Sequence, residues 1–343
     1  MNASKILMSA LLALCLTGAG CNRANKVVVT VKSQPTTPME LKLNWPLGRH
    51  GVQTMEMDMT SVTTVPSMGR SQPAQTMTND MTVGQQVALT VTKELDAGQR
   101  EVEMAYLSTK MASTMNGKTL LAFDSTQKPD TTTDPLAATL GKMVGAKIQF
   151  TLDASNVVVA VAGVDELQNR LEGVTKADPT GMLKNLLNED SLKRNLDFAR
   201  YLPGKPVQPG DTWPVQQKFS MGPLGTMVAN FTYTLNGWEQ SHGRWCARIG
   251  IDGTLQTQPG DNPDSPIKGM KFTITNGTCS GETWFDLDLG MFVDMTLDQD
   301  MKVSVTMPLP APRQTGANTP VLPKTMNISG DVHQTITTKY ELK

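Results

Sequence analysis

Histidine is scarce in this 343-residue sequence. His50, His242 and His333 stand far apart, and none lies at metal-ligand spacing from another. A histidine metal centre or acid–base set therefore has no support in the spacing. The Gly-x-Ser-x-Gly, His-Glu-x-x-His and phosphate-loop patterns are missing too. No cofactor is implied. Charge of one sign is also lacking: 31 Lys and Arg against 32 Asp and Glu leave a net charge of −1. That excludes a general field for nucleic acid or anionic lipid. Aromatic residues make up only 5%. What the chain has in excess is methionine, 22 residues of it.

No apolar run is long enough to cross a bilayer. The N-terminal one, residues 6–16, follows Lys5 and ends on the small residues Thr17-Gly18-Ala19-Gly20. A positive start, a short apolar segment and a small-residue end form the pattern of an export signal, here residues 1–20. Gly18-Ala19-Gly20-Cys21 resembles the lipobox of bacterial lipoproteins, with Gly18 where leucine is usual. The resemblance implies that Cys21 becomes the first mature residue and carries lipid, with residues 21–38 as a polar tether. Each buried acyl methylene contributes about 0.8 kcal/mol, so a multiply acylated Cys21 is a stable anchor. The competing reading is ordinary cleavage that leaves Cys21 free.

Of four cysteines, Cys15 leaves with the signal and Cys21 takes the lipid, so Cys246 and Cys279 remain. In an oxidising compartment two such residues are expected to pair. The loop they close would contribute about 3–4 kcal/mol on the chain-entropy view. The alternative is two separate buried thiols.

Along the mature chain, hydrophobic periodicity changes twice. Residues 39–163 read as an N-terminal β half, 164–202 as a helical middle and 203–343 as a C-terminal β half. Residues 39–45 and 52–60 are predicted strands around a turn at Pro46-Leu47-Gly48. In the second of them Met55, Met57 and Met59 share one face while Glu56 and Asp58 share the other. Asn116-Gly117 and Asn276-Gly277 both read as hairpin turns, because both residue types tolerate positive φ. Residues 145–161 form a hairpin around Asp153–Asn156. Short helices are expected after Asp134-Pro135, over 165–172, after Asp178-Pro179 and over 188–201. The longest alternating stretch is 291–307, where Val293, Met295, Leu297, Met301, Val303 and Val305 face one way. Its exceptions are Phe292 and Gln299. Asp286, Asp288, Asp294, Asp298 and Asp300 read as a solvated strand face rather than a calcium loop, which needs more oxygen ligands.

Strands with one apolar and one polar face belong to antiparallel sheets covered on one side. The expected fold class is mainly β with a minor α insert: long curved antiparallel sheets, half-barrel or sandwich-like, with short amphipathic helices over the apolar face. The methionines admit three readings. They fill an irregular β core, they line an apolar site, or they hold copper(I). Strand alternation already explains their spacing, and no His or Cys accompanies them. An apolar ligand or lipid would then be lined by Met55, Met57, Met59, Met295, Leu297 and Met301.

The turn at Pro46-Leu47-Gly48, the hairpin at 145–163 and above all Pro206-Val207-x-x-Gly210-Asp211-x-Trp213 resemble a family of uncharacterised bacterial envelope proteins, known only as a domain of unknown function. The resemblance covers about residues 39–343 and implies no activity. A curved sheet with helical cover is also distantly similar to periplasmic lipoprotein carriers. Two classes of function follow. One is a non-enzymatic, lipid-anchored envelope protein that binds an apolar ligand between sheet and helices. The other is a structural or interaction protein with a filled core. The expected location is the cell envelope, on the periplasmic side of the outer membrane, with the membrane as partner through the N-terminal lipid.

Overall fold

Strict alternation of apolar and polar residues builds nearly the whole molecule. The computed structural model describes residues 34–67, 73–127, 141–171, 188–221, 224–241, 243–258, 269–309 and 325–343. The signal segment, Cys21, most of the tether, the segments after Asp134 and Asp178, and His242 lie outside the described residues.

Twelve strands follow one another: β1 (His50–Val65), β2 (Gln75–Glu94), β3 (Arg100–Met115), β4 (Lys118–Asp124), β5 (Lys147–Leu152), β6 (Val158–Ala162), β7 (Thr212–Ser220), β8 (Thr226–Ser241), β9 (Arg244–Gln258), β10 (Lys271–Asp286), β11 (Met291–Pro308) and β12 (Thr325–Leu342). Two short helices, α1 (Val164–Arg170) and α2 (Glu189–Leu196), and a 3-10 turn at Phe198–Tyr201 stand between β6 and β7. Asn188 caps α2 by accepting the Ser191 N–H, and Leu192 and Leu196 are its buried stripe.

All twelve strands form one open antiparallel sheet, in the order β6-β5-β3-β2-β1-β12-β11-β10-β9-β8-β7, with β4 also paired to β3. The mainly β fold class expected from the sequence is therefore the fold found. The two β halves share one sheet and one core, joined where β1 pairs with β12 along fourteen residue pairs from Gly51–Leu342 to Thr64–Ser329.

Ring contacts show that the sheet curls. Trp45 meets Phe150 of β5 edge-on at 6.3 Å and Phe198 at 6.1 Å. Three residues further on, Tyr201 meets Phe292 of β11 at 6.3 Å. Its carbonyl accepts the Trp213 indole N–H from β7, and its hydroxyl oxygen accepts from Gln217. In a flat sheet β5 and β7 would be about 43 Å apart, nine steps of about 4.8 Å. One short helical segment, with Trp45 packed against it, can reach both only if the sheet is rolled into a half-barrel. The helical middle closes one end of that trough, as its one-sided periodicity requires.

The roll has local causes. A Cβ at Gly281 would lie 2.1 Å from the Thr296 carbonyl oxygen, and at Gly277 2.5 Å from that of Leu255. Only glycine admits such a close approach between β10 and its neighbours. Bulges interrupt the register of β2 with β3 and of β8 with β9, and each adds bend and twist.

Three expectations are corrected. Residues 39–45 are not a hairpin strand: Met39 makes a single bridge to Val207, and the segment runs into the trough with Leu41, Leu43 and Trp45 buried. Asn276-Gly277 does not turn the chain. β10 runs through it, and the two residues together oppose Met301 between the pairs Thr275–Lys302 and Thr278–Asp300. The left-handed Asn276, at φ 52°, therefore makes a bulge. By contrast Asn116-Gly117, with φ of 50° and 76°, does turn β3 into β4 as expected.

Third, Cys246 and Cys279 are buried and not joined in a disulfide. Cys246 lies opposite Asp286 and Cys279 opposite Gly253, seven residues apart along β9 and on opposite faces. Seven residues of strand span about 24 Å, against the roughly 6 Å between Cα atoms that a disulfide tolerates. Alkylation without reductant should therefore label Cys246 and Cys279 fully after denaturation and hardly at all in the folded protein. A Cys246–Cys279 cross-linked peptide would contradict this register.

Candidate functional site

Among the described residues, the inner face of the trough is where the methionines and Leu297 singled out in the sequence meet. β12 is the central strand of this region, and β1 and β11 flank it. Across it, Met55, Thr338 and Met295 form one row; Met57, Ile336 and Leu297 the next; Met59, Gln334 and Gln299 the third; and Ser61, Val332 and Met301 the fourth. Met55, Met57, Met59, Met295, Leu297 and Met301, far apart in sequence, thus line one patch around β12. All six are buried. Directly opposed side chains in such rows sit about 5 Å apart at Cβ, so they are in mutual contact.

The patch has a polar centre that residue periodicity only half revealed. Gln299 breaks the alternation of β11, and Gln334 sits opposite it on β12. Both are 0% exposed. Neither the amide nitrogen nor the amide oxygen of either side chain has a hydrogen-bond partner. The row continues through Met59 on one side and Cys279 and Gly253 on the other. Further toward the helical end, Thr338 Oγ1 and Tyr340 Oη are likewise buried and unpartnered. The Tyr340 ring lies over Gly51, where a Cβ would come within 2.3 Å of it.

An unsatisfied buried amide costs about 1–3 kcal/mol, so a pair of them in the middle of a sheet is an expense the fold carries for a reason. The signal for them existed in the sequence. Gln299 was visible as an exception, but Gln334 becomes significant only when the β11–β12 register places it opposite.

No charged side chain occupies an inward position on β1, β12, β11 or β10. Arg49, beside Tyr340, donates to the carbonyls of Asn44 and Leu289. Charge is gathered on the outer face instead, where Thr60 donates to Asp80, Thr82 to Asp58 and Thr335 to Asp298, and His333 lies 2.9 Å from Asp300. A lipid-facing barrel wall has the reverse arrangement, with its apolar band outside. No helix among the described residues is long and apolar enough to cross a membrane.

The aspartate cluster divides. Asp298 and Asp300 do lie on the outer face, but Asp286 is fully buried. It accepts the backbone N–H groups of Asp288 and Leu289 and pairs with Arg244, which locks the β10–β11 turn. It is a turn cap, not a solvated residue. Among the described residues no cluster of three or more His, Cys, Asp or Glu could hold a metal.

Burial sets the acid–base behaviour of this interior. It pushes the Cys279 thiol up from 9.0 to about 12, and the Tyr106 and Tyr340 hydroxyls from 10.0 to about 12. These groups are neutral in the fold and ionise more readily in the unfolded chain. Their contribution to stability is therefore complete below about pH 9 and is lost as pH rises toward about 12. A urea-midpoint series across that range should show the decline. A flat profile would mean that these groups are open to water.

The sequence matches, over residues 97–292, the family described as "Family of unknown function (DUF6263)". No curated protein matches it. Among solved structures, it is similar to lipovitellin, described for its lipid–protein interactions, at 8% identity and a TM-score of 0.38. That alignment covers 88% of this chain and 25% of that one, so the chain spans about a quarter of lipovitellin's length. DynF from the dynemicin biosynthesis pathway of Micromonospora chersina aligns at 10% identity and a TM-score of 0.14, covering 90% of this chain and 92% of that one. An outer membrane channel of Pseudomonas putida aligns at 6% identity and a TM-score of 0.19, covering 89% and 100%. These likenesses are too slight to bear on function.

Proposed function

The chain belongs to the DUF6263 family, whose function is unknown, and from that premise we propose a role read from its own interior: a non-enzymatic binding protein of the bacterial envelope that holds an apolar molecule in its trough. The observation that carries the reading is the unpartnered Gln299–Gln334 pair at the centre of a thioether-lined face. Methionine suits such a surface, because its unbranched, polarizable side chain adapts to ligands of varied shape. Among the described residues, the inner rows around β12 hold amides, hydroxyls and a thiol that stays protonated, with no carboxylate or imidazole to move a proton, which supports a non-enzymatic role.

Location follows from the N-terminal segment. Export with lipidation at Cys21 would tether the half-barrel to a membrane while its polar outer face stays in water. Replacing Cys21 with serine should move the protein from the membrane fraction to the soluble one; unchanged fractionation would remove the anchor.

The binding reading is tested by gentle purification, solvent extraction and mass spectrometry. An apolar compound at about one per chain is expected. Protein that is reproducibly ligand-free and takes up no apolar dye would instead make this a structural protein with a filled core, the reading that the burial of all six lining residues favours.

A further inference from the structure

We propose that the trough selects a neutral amphiphile: a molecule with an uncharged hydrogen-bonding group, such as an ester, amide or alcohol, seated between Gln299 and Gln334, and an aliphatic part lying over the methionines of β1 and β11. This deepens the binding reading above and rests on it.

Each glutamine amide offers two N–H donors and one carbonyl acceptor. The pair therefore presents both functions side by side, and neither amide uses them within the protein. A purely aliphatic ligand would leave all of these groups unsatisfied. An anionic headgroup would accept from the amide N–H groups, but it would enter a region with no inward-facing cation on β1, β12, β11 or β10. A charge stripped of water without a counter-charge costs far more than a neutral group does. The nearby Thr338 and Tyr340 hydroxyls, also buried and unpartnered, are uncharged as well. An ester, amide or hydroxyl can give or take what the two amides need at little desolvation cost.

The surroundings fix where the aliphatic part goes. On the β1 side Met59 shares the row of the pair and the rows next to it hold Met57 and Ser61; on the β11 side those rows hold Leu297 and Met301. Toward β10 and β9 the row of the pair holds the small Cys279 and Gly253, while the Leu297 row passes Gly281 to the buried Ile251. The flexible side chains therefore lie on the β1 side of the pair, where Met57 and Met59 can follow an aliphatic chain.

The test uses the full chain in detergent-free buffer after extraction of any co-purifying lipid. Displacement of a solvatochromic apolar dye is measured with dodecane, dodecanamide, dodecanol and dodecanoate, at about pH 8, where the carboxylate is ionised. Dodecanamide and dodecanol should displace the dye roughly tenfold better than dodecanoate, and better than dodecane. In the Gln299→Leu/Gln334→Leu double variant the dye should still bind, while the advantage of amide and alcohol over alkane disappears. Equal or stronger displacement by dodecanoate overturns the proposal and leaves the binding reading standing. So does a double variant that keeps the wild-type preference. If no dye enters the wild-type protein, the binding reading falls and this proposal falls with it.

Discussion

Replacing Gly281 with valine should destabilise the protein by about 3 kcal/mol or more, the upper end of the cost of overpacking. In a chain of this size that lowers the thermal midpoint by roughly 5 °C. A Cβ at this position would sit 2.1 Å from the Thr296 carbonyl oxygen and 2.9 Å from the Leu297 Cα. Both are backbone atoms of the neighbouring strand, so no side chain can swing aside to make room. Either β10 and β11 separate, losing ladder hydrogen bonds, or the roll of the sheet relaxes at this close approach. Gly84 on β2 supplies the control. Its Cβ would meet only the Lys110 Cβ, at 3.7 Å. Gly84→Ala should change stability by no more than about 0.5 kcal/mol, and it gains from a stiffer unfolded chain. Equal effects at the two sites would mean that close strand approach does not shape the half-barrel.

The second large effect has the opposite sign. Converting both Gln299 and Gln334 to leucine should stabilise the ligand-free protein by about 2–4 kcal/mol, because two unsatisfied amides are exchanged for apolar groups of similar volume. One substitution alone should give about half of that, since the remaining amide is still unpaired. A natural sequence that carries such a reserve has kept these residues at the expense of stability, which is the usual mark of a binding surface rather than a packing solution. If the double variant is instead less stable, the amides are satisfied in solution and the polar centre is structural. Denaturant melts read this out independently of any ligand assay. Added dodecanamide should raise the midpoint of the wild type more than dodecane does, and raise that of the double variant no more than dodecane does.

Much of the architecture was legible because alternation is a local property. In β1 and β11 each residue's neighbours two positions away already tell which face it takes, and the structure keeps those faces. The helical middle was legible for the same reason, since Leu192 and Leu196 fall on one stripe. Features that depend on partners distant in sequence were not. Asn276-Gly277 looks like a hairpin turn to any local rule; only Met301, inserted opposite both residues, shows it to be a bulge. Asp286 looked like one of several surface aspartates, and it became a buried cap because Arg244 and the turn amides converge on it. The cysteine pairing failed because counting ignores register, and register places the two thiols on opposite faces of the sheet. The candidate site shows both sides of this divide. Its methionines could be named from periodicity, whereas the Gln299–Gln334 pair required knowing that the last strand lies between the first and the one before it.

That central seam also sets an order of events for the newborn chain. Roughly 260 residues separate the end of β1 from the start of β12, and pairings between such distant segments are the slowest a protein makes. At about 5–20 residues per second of synthesis, β1 waits for tens of seconds with one row of backbone groups unclaimed. During that wait Met55, Met57 and Met59 have no completed interior to enter, and an open strand edge invites a neighbouring chain. Shortening the chain by its last nineteen residues, β12 and Lys343, would leave two separate meanders, each with a bare edge where the other should be.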